Sequence, residues 1–287
     1  MENQALIAVE SGRKAVSEKH IKDYQENGFV KVSNLISREC ALNFREYSKN
    51  LAVDNVNGRD HEGRLNQIVN VWQIDDVMKE LTLKEEFFSI AEQLSGVPLR
   101  IWHDHILSKA PKNELATEWH QDQAYWPHQN SKNSISVWIA LQDTTVEMGC
   151  MGFIPKSNIF DQLRTQELDN SRSLYTIEPE LEFMEKRIVP LKAGDATFHH
   201  GRTAHRGGPN LLDEWRMAHV VIYMDKCTEF NNGSHIITNQ LIEDGIEVPV
   251  GKELNQTIFP CREVLKTLKD DLKKDFSGKK KWRSLYK

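Results

Sequence analysis

The sequence predicts a mainly β protein with flanking helices, an antiparallel jelly-roll barrel preceded by a helical N-terminal part. Three observations predict it. The hydrophobic period changes from helical to alternating at about residue 99. The alternating segments LRIWHDHILSKA, SISVWIALQDTT and RMAHVVIYMD are short and bounded by turn residues. Gly and Pro lie between them, in place of the long helical patterns that a parallel α/β sheet needs.

Taken in order, SEKHIKDYQENG (17–28) predicts a short helix, with Ser17 as N-cap, acidic Glu18 behind it and Gly28 past its end. FVKV follows as a strand. Residues 37–52 place Cys40, Phe44, Tyr47 and Leu51 at helical spacing, and Ser37 can cap them. Residues 77–95 predict another helical stretch, ending near Gly96 and Pro98. Residues 57–67, 161–187 and 228–257 are expected as long loops, the kind that form the rim or lid of a site on a β scaffold. The tail KTLKDDLKKDFSGKKKWRSLYK is locally basic and is expected as a solvated helix with a frayed end; a docking segment is the alternative. The expected organisation is one domain: a helical part over 17–96, a β-barrel core over 99–226, and a C-terminal loop and tail over 228–287.

A chain of 287 residues, 39% hydrophobic, can bury a large core. Its net charge of −5 argues against nucleic acid as a partner, because no cationic field is available to neutralise phosphates. No secretory signal is visible at the start, and no apolar run approaches the ~20 residues of a membrane span. Cys40, Cys150, Cys227 and Cys261 are widely spaced and read as reduced thiols of a cytoplasmic protein.

The chemistry concentrates in WHQDQAYWPH (119–128). In extended chain His120 and Asp122 share a face, while Gln121 points away. Two ligands make a weak metal site. The best third candidate is His205 in GDATFHHGRTAHRGGPN (194–210), just before a Gly-Gly-Pro turn. Two His and one carboxylate on a triangular face leave positions open, as non-haem Fe(II) oxygenases require. Arg216 opens RMAHVVIY eleven positions later and offers a fixed fork for a carboxylate. His199 and His200 read as strand residues, one facing in and one out. Trp138 shares a face with Ser134, Ser136 and Ala140, opposite Ile135, Val137, Ile139 and Leu141, which suits a cavity wall. His105 shares a face with His103, Leu107 and Lys109.

Four passages resemble the phytanoyl-CoA dioxygenase (PhyH)-type Fe(II)/2-oxoglutarate oxygenases of the cupin-like, double-stranded β-helix superfamily. They are YQENGFVKVSNLIS, WHQDQAYWP, SVWIALQDTTVEMGCMGFIPKSN and GDATFHHGRTAHRGGPN with the following Arg and VIYM, together spanning residues 24–224. The resemblance implies that His120, Asp122 and His205 hold Fe(II) as the catalytic centre. It implies that 2-oxoglutarate chelates the iron and pairs its far carboxylate with Arg216. Dioxygen is the other cosubstrate, succinate and CO2 are released, and a small-molecule substrate is oxidised, most often by hydroxylation. Trp138, His105, Thr117 and Gly207 fall at positions that line the cosubstrate in this family. Tyr125 and Trp126 are expected at the mouth above the iron in contact with substrate or cosubstrate, with hydrophobic plugging of the barrel end as the alternative; Asn66 and Gln67 are weaker substrate contacts.

Two departures stand out. Gly207 replaces the hydroxyl or small residue of many relatives, and Pro155-Lys156-Ser157-Asn158 stands where many read Pro-Gly-Ser-His. Asp122 itself points to hydroxylation or another oxidation, because related halogenases carry a small residue there. Two other classes compete: a cupin-type metal isomerase, lyase or hydrolase, and a non-catalytic ligand-binding cupin. Arg216 and the intact triad argue against them. The substrate and the oligomeric state are not legible.

Overall fold

The computed structural model of the chain describes residues 16–54, 59–60, 63 and 65–265. The basic tail from residue 266, and residues 57, 58, 61, 62 and 64 of the first expected loop, lie outside them. Helix α1 (Glu18–Asn27) begins at Ser17 with a reciprocal box: the Ser17 hydroxyl accepts the His20 N–H, and the His20 ring accepts the Ser17 N–H. Gly28 ends it at φ 77°, a left-handed conformation that glycine adopts without strain. β1 (Phe29–Val32) and α2 (Arg38–Asp54) follow as expected.

β2 (Arg59–Asp60) pairs with β3 (Asn66–Val69), which corrects the loop expected over 57–67: Asn66 and Gln67 are strand residues. Pairing with a long neighbouring strand stabilises this polar stretch beyond its own weak β propensity. α3 (Val71–Ile74) is one turn. The stretch expected as one helix over 77–95 is two, α4 (Asp76–Thr82) and α5 (Glu85–Ser95). The break falls at Lys84, whose backbone is extended (φ −61°, ψ 123°), and acidic Glu85 and Glu86 then favour a fresh helix start.

The remaining elements are β4 (Leu99–Lys109), β5 (Thr117–His120), β6 (His128–Gln129), β7 (Ile135–Ala140), β8 (Met151–Phe153), α6 (Ser173–Ile177), α7 (Glu180–Phe183), β9 (Arg187–Val189), β10 (Ala196–His200), β11 (His205–Gly207), β12 (Arg216–Asp225), β13 (Glu229–Phe230) and α8 (Ile236–Glu243). Two further loop expectations are therefore corrected. The 161–187 stretch carries α6 and α7, held down by Leu174 and Leu181 against Trp119, Ile154 and Ala204. The 228–257 stretch carries β13 and α8. In both, isolated apolar residues too sparse to show a period are buried by tertiary contact.

Among the described residues, all pairings between these strands are antiparallel. A seven-stranded sheet runs β1-β10-β7-β12-β4-β3-β2, and a four-stranded sheet runs β5-β11-β8-β9. From β4 to β12 the chain repeatedly crosses between the two, which brings β5 beside β11 although His120 and His205 are 85 positions apart in the sequence. One face of the large sheet, with Ile135, Val137, Ile139, Val221 and Tyr223, packs on Phe44 of α2 and Phe87, Phe88 and Ile90 of α5. Burying such side chains contributes roughly 1.5–3 kcal/mol each. The other face, with Trp138, Ala140, Ala218 and Val220, meets Met151 and Phe153 of the small sheet. The alternation read from the sequence thus sorts helix-facing from interior residues. It slips once, at Trp102, where β4 carries one residue more than its partner β12.

Candidate active site

His120 ends β5 and is the register partner of His205, which begins β11; their ring centroids lie 4.3 Å apart. Asp122 is not in the strand. It opens a 3-10 turn (Asp122–Tyr125), and it reaches the face of His120 because the intervening Gln121 remains extended (φ −104°, ψ 130°). Gln121 points away and is buried; its Oε1 accepts the Leu163 N–H, and its own N–H donates to Gln166 Oε1. The 161–168 segment therefore straps the turn that carries Asp122. Tyr125 extends this strap by donating its hydroxyl to the Gln166 carbonyl.

His120, Asp122 and His205 each present one ligand-type atom, all within 4.8 Å of one another, and they form the one such cluster among the described residues. His120 Nδ1 donates to the Glu118 carbonyl (2.7 Å), and His205 Nδ1 donates to the Thr203 carbonyl (2.9 Å). These bonds fix both tautomers and leave the Nε2 lone pairs facing Asp122 Oδ1, at 3.6 and 3.5 Å. Burial would raise the Asp122 carboxyl, but the charge that His205 carries when protonated, and hydrogen bonds from the three surrounding imidazoles in that state, hold it well below the usual carboxylate range. Against burial, Asp122 in turn raises His205. It is an anion facing two neutral-capable donors, which is the donor set for a divalent metal.

The backbone beneath His205 is anchored. Ser157 Oγ donates to the Ile154 carbonyl and accepts the Ala204 N–H at 2.7 Å. Its neighbour Lys156 sits at φ 66°, so the departure from a Gly turn is absorbed by a lysine held in the left-handed region.

Arg216 begins β12 and is only 2% exposed. Its Nη1 donates to the Gly149 carbonyl (3.3 Å), its Nε has no partner, and its guanidinium lies 5.5 Å from the Trp138 ring. Among the described residues no carboxylate neutralises it, and burial lowers it to about 10. Gly207 faces it: a Cβ there would lie 3.9 Å from Arg216 Nη1 and 3.8 Å from Thr117 Cβ. Gly149 (φ 79°) packs against the Gly208 backbone too closely for a side chain.

The structure thus gathers Arg216, Trp138, Thr117 and Gly207. His105 lies in the same cross-strand row as Trp138, through Val220, and hydrogen-bonds Gln67 (2.7 Å). Tyr125 stands 6.1 Å from the His120 ring. Trp126 is buried against Gly201 and His128. Asn66 is half-buried beside Ser108. His199 faces in and is buried, while His200 bonds the Lys132 carbonyl nearer the surface. Sequence reasoning placed Ser136 on the inner face but gave it no part; it donates to Asp122 Oδ2 at 2.9 Å. Its position two residues before Trp138 was the available signal.

Residues 24–218 match the family model described as phytanoyl-CoA dioxygenase (PhyH). The chain belongs to the phytanoyl-CoA dioxygenase family. A probable alpha-ketoglutarate-dependent hypophosphite dioxygenase from Stutzerimonas stutzeri is 24% identical over 260 residues, which cover 79% of this chain and 90% of that protein. Among solved structures, the non-haem alpha-ketoglutarate-dependent carbocyclase SnoK from nogalamycin biosynthesis matches with a TM-score of 0.75 and 29% identity, over 86% of this chain and 96% of that one. The epimerase SnoN, in complex with Fe3+, alpha ketoglutarate and nogalamycin RO, matches with a TM-score of 0.75 and 26% identity, over 85% and 97%. This member of the phytanoyl-CoA dioxygenase family is an enzyme of the non-haem, 2-oxoglutarate-dependent oxygenase class. No helix among its described residues is long and apolar enough to cross a membrane.

Proposed function

We propose that this family member is an Fe(II)- and 2-oxoglutarate-dependent dioxygenase that hydroxylates a small molecule, with O2 as the other cosubstrate and succinate and CO2 as co-products. One observation supports this above all: two imidazoles with fixed tautomers face one oxygen of a carboxylate, and the same interior holds a buried guanidinium with no carboxylate partner among the described residues. An isomerase or hydrolase has no need of that second feature. Leaving a buried cation unpaired costs several kcal/mol, roughly, and a dicarboxylate cosubstrate offsets that cost.

The donor set fits the metal. His120 Nε2, Asp122 Oδ1 and His205 Nε2 would hold Fe(II), while Arg216 would take the far carboxylate of 2-oxoglutarate. When bound, the iron supplies the oxygen activation that no side chain can perform. The protein's own groups do the rest. The Glu118 and Thr203 carbonyls aim the imidazoles, and Ser136 turns the carboxylate. Gly207 leaves room at the guanidinium, Trp138 walls it, and Thr117 and His105 line the same interior. Tyr125 and Trp126, with Asn66 and Gln67 as weaker candidates, would contact substrate. The two facing sheets would be the walls of one double-stranded β-helix domain.

Relatives that are a carbocyclase and an epimerase favour a second outcome, in which the substrate is oxidised or rearranged without gaining oxygen. Succinate release from 2-oxoglutarate under Fe(II) and ascorbate tests the class. A product one oxygen atom heavier than its substrate supports hydroxylation, and a product of equal mass or lighter by two hydrogens supports the second outcome. Absence of succinate release, with and without candidate substrates, contradicts both.

A further inference from the structure

The Asp122 carboxylate divides its two oxygens between different neighbours. Oδ1 faces the Nε2 atoms of His120 and His205. Oδ2 accepts the Ser136 hydroxyl at 2.9 Å and lies 3.4 Å from Nε2 of His199. His199 is 2% exposed, and neither of its ring nitrogens has a hydrogen-bond partner among the described residues. Its ring is 4.5 Å from that of His205 and 5.4 Å from that of Phe153. It also shares a cross-strand row with Ser136, so both side chains rise from adjacent strands toward the same oxygen.

His199 differs from the two triad histidines in one respect that decides its part. Their Nδ1 atoms are tied to carbonyls, which commits Nε2 to be an acceptor. Among the described residues no carbonyl holds Nδ1 of His199, so its proton is free to sit on Nε2, which lies 3.4 Å from Asp122 Oδ2. A buried imidazole with both nitrogens unpaired is costly, and the Asp122 carboxylate oxygen is the acceptor within reach.

We propose that His199 is a positioning residue: it donates Nε2–H to Asp122 Oδ2 and, with Ser136, reserves that oxygen, so that the carboxylate offers the metal Oδ1 alone. A carboxylate held to one oxygen would leave a further position for cosubstrate on a bound ion. This inference rests on the metal reading of the triad. Outer groups that orient metal ligands commonly carry roughly 10–100-fold in metal affinity.

The test is Co(II) binding to the purified protein by calorimetry, with thermal melting in parallel, for wild type, His120→Ala, His199→Phe and His199→Gln. Phenylalanine fills the space without a donor, and glutamine restores an N–H. The expected result is Co(II) affinity at least about tenfold weaker in His199→Phe and within about threefold of wild type in His199→Gln. Equal affinity in wild type and His199→Phe overturns the proposal. Equal weakening of both variants with matching losses in melting temperature also overturns it, because packing alone would then account for the effect. If wild type and His120→Ala bind Co(II) alike, the metal reading itself fails, a different result from either.

Discussion

His205 and His120 are cross-strand partners on β11 and β5, and this single register brings two imidazoles to one carboxylate. Shifting the pairing by one residue would turn one of the rings out of the interior. The site therefore depends on strand pairing first and on its own side chains second. Replacing His120, Asp122 or His205 by Ala is expected to remove metal binding and metal-dependent succinate release while leaving the fold intact. Circular dichroism and a metal titration on each variant check this; a variant that still binds metal at wild-type affinity contradicts the assignment.

Arg216 and Gly207 form a second pair. Arg216→Ala is expected to raise the 2-oxoglutarate requirement at least about tenfold, the usual scale for truncating a buried charge-assisted pair, with a much smaller effect on substrate KM. Gly207→Val places branches in the space beside the guanidinium and is expected to act in the same direction. Separate KM measurements for cosubstrate and substrate check both. Equal effects on the two count against the role of Arg216.

Ser157 holds the residue before His205 through the Ala204 N–H. Ser157→Ala leaves that N–H unpaired and is expected to cost about 1–3 kcal/mol of stability. Metal affinity should fall as well, because the ligand strand loses its anchor. Denaturant unfolding and a metal titration measure the two effects; unchanged values for both would show that the Ser157 bonds do not hold His205.

Asp104 lies on the helix-facing side of β4, between His103 and His105. It accepts the Trp72 N–H and the Thr82 hydroxyl, and Thr82 also bonds His219. Burial raises its carboxyl to about 7, against these hydrogen bonds that lower it. A folded-state value above the unfolded one means that the folded protein holds the proton longer. The contribution is therefore fully present below about pH 4 and is lost as the pH rises through about 7. Relative to Asp104→Asn, wild type is expected to lose stability between these limits. Unfolding free energies of the two proteins across that range check it, and parallel curves would contradict it.

The site was legible in the sequence to the extent that spacing alone could carry it. An alternating strand fixes which side chains share a face, so the inward positions of Trp138 and Arg216, and the opposed directions of His199 and His200, follow from local pattern. Asp122 joined His120 by a different route from the expected strand, because the extended Gln121 preserved the direction while the chain was already turning. The misread loops share one cause. In 57–67, 161–187 and 228–257, strands and helices are short and polar, and they are stabilised by neighbours such as β4, Trp119 and Ile154. The Ser136, Ser157 and His199 contacts were invisible for a related reason: each depends on a partner brought in by the crossing of the chain between two sheets.

The most direct test of the central claim is an anaerobic titration of Fe(II)-loaded protein with 2-oxoglutarate, followed by the visible charge-transfer absorption of the chelate. Wild type should develop the band saturably, Asp122→Ala should not develop it, and Arg216→Ala should require at least about tenfold more 2-oxoglutarate. No band in wild type, or the same curve in all three proteins, would contradict the account.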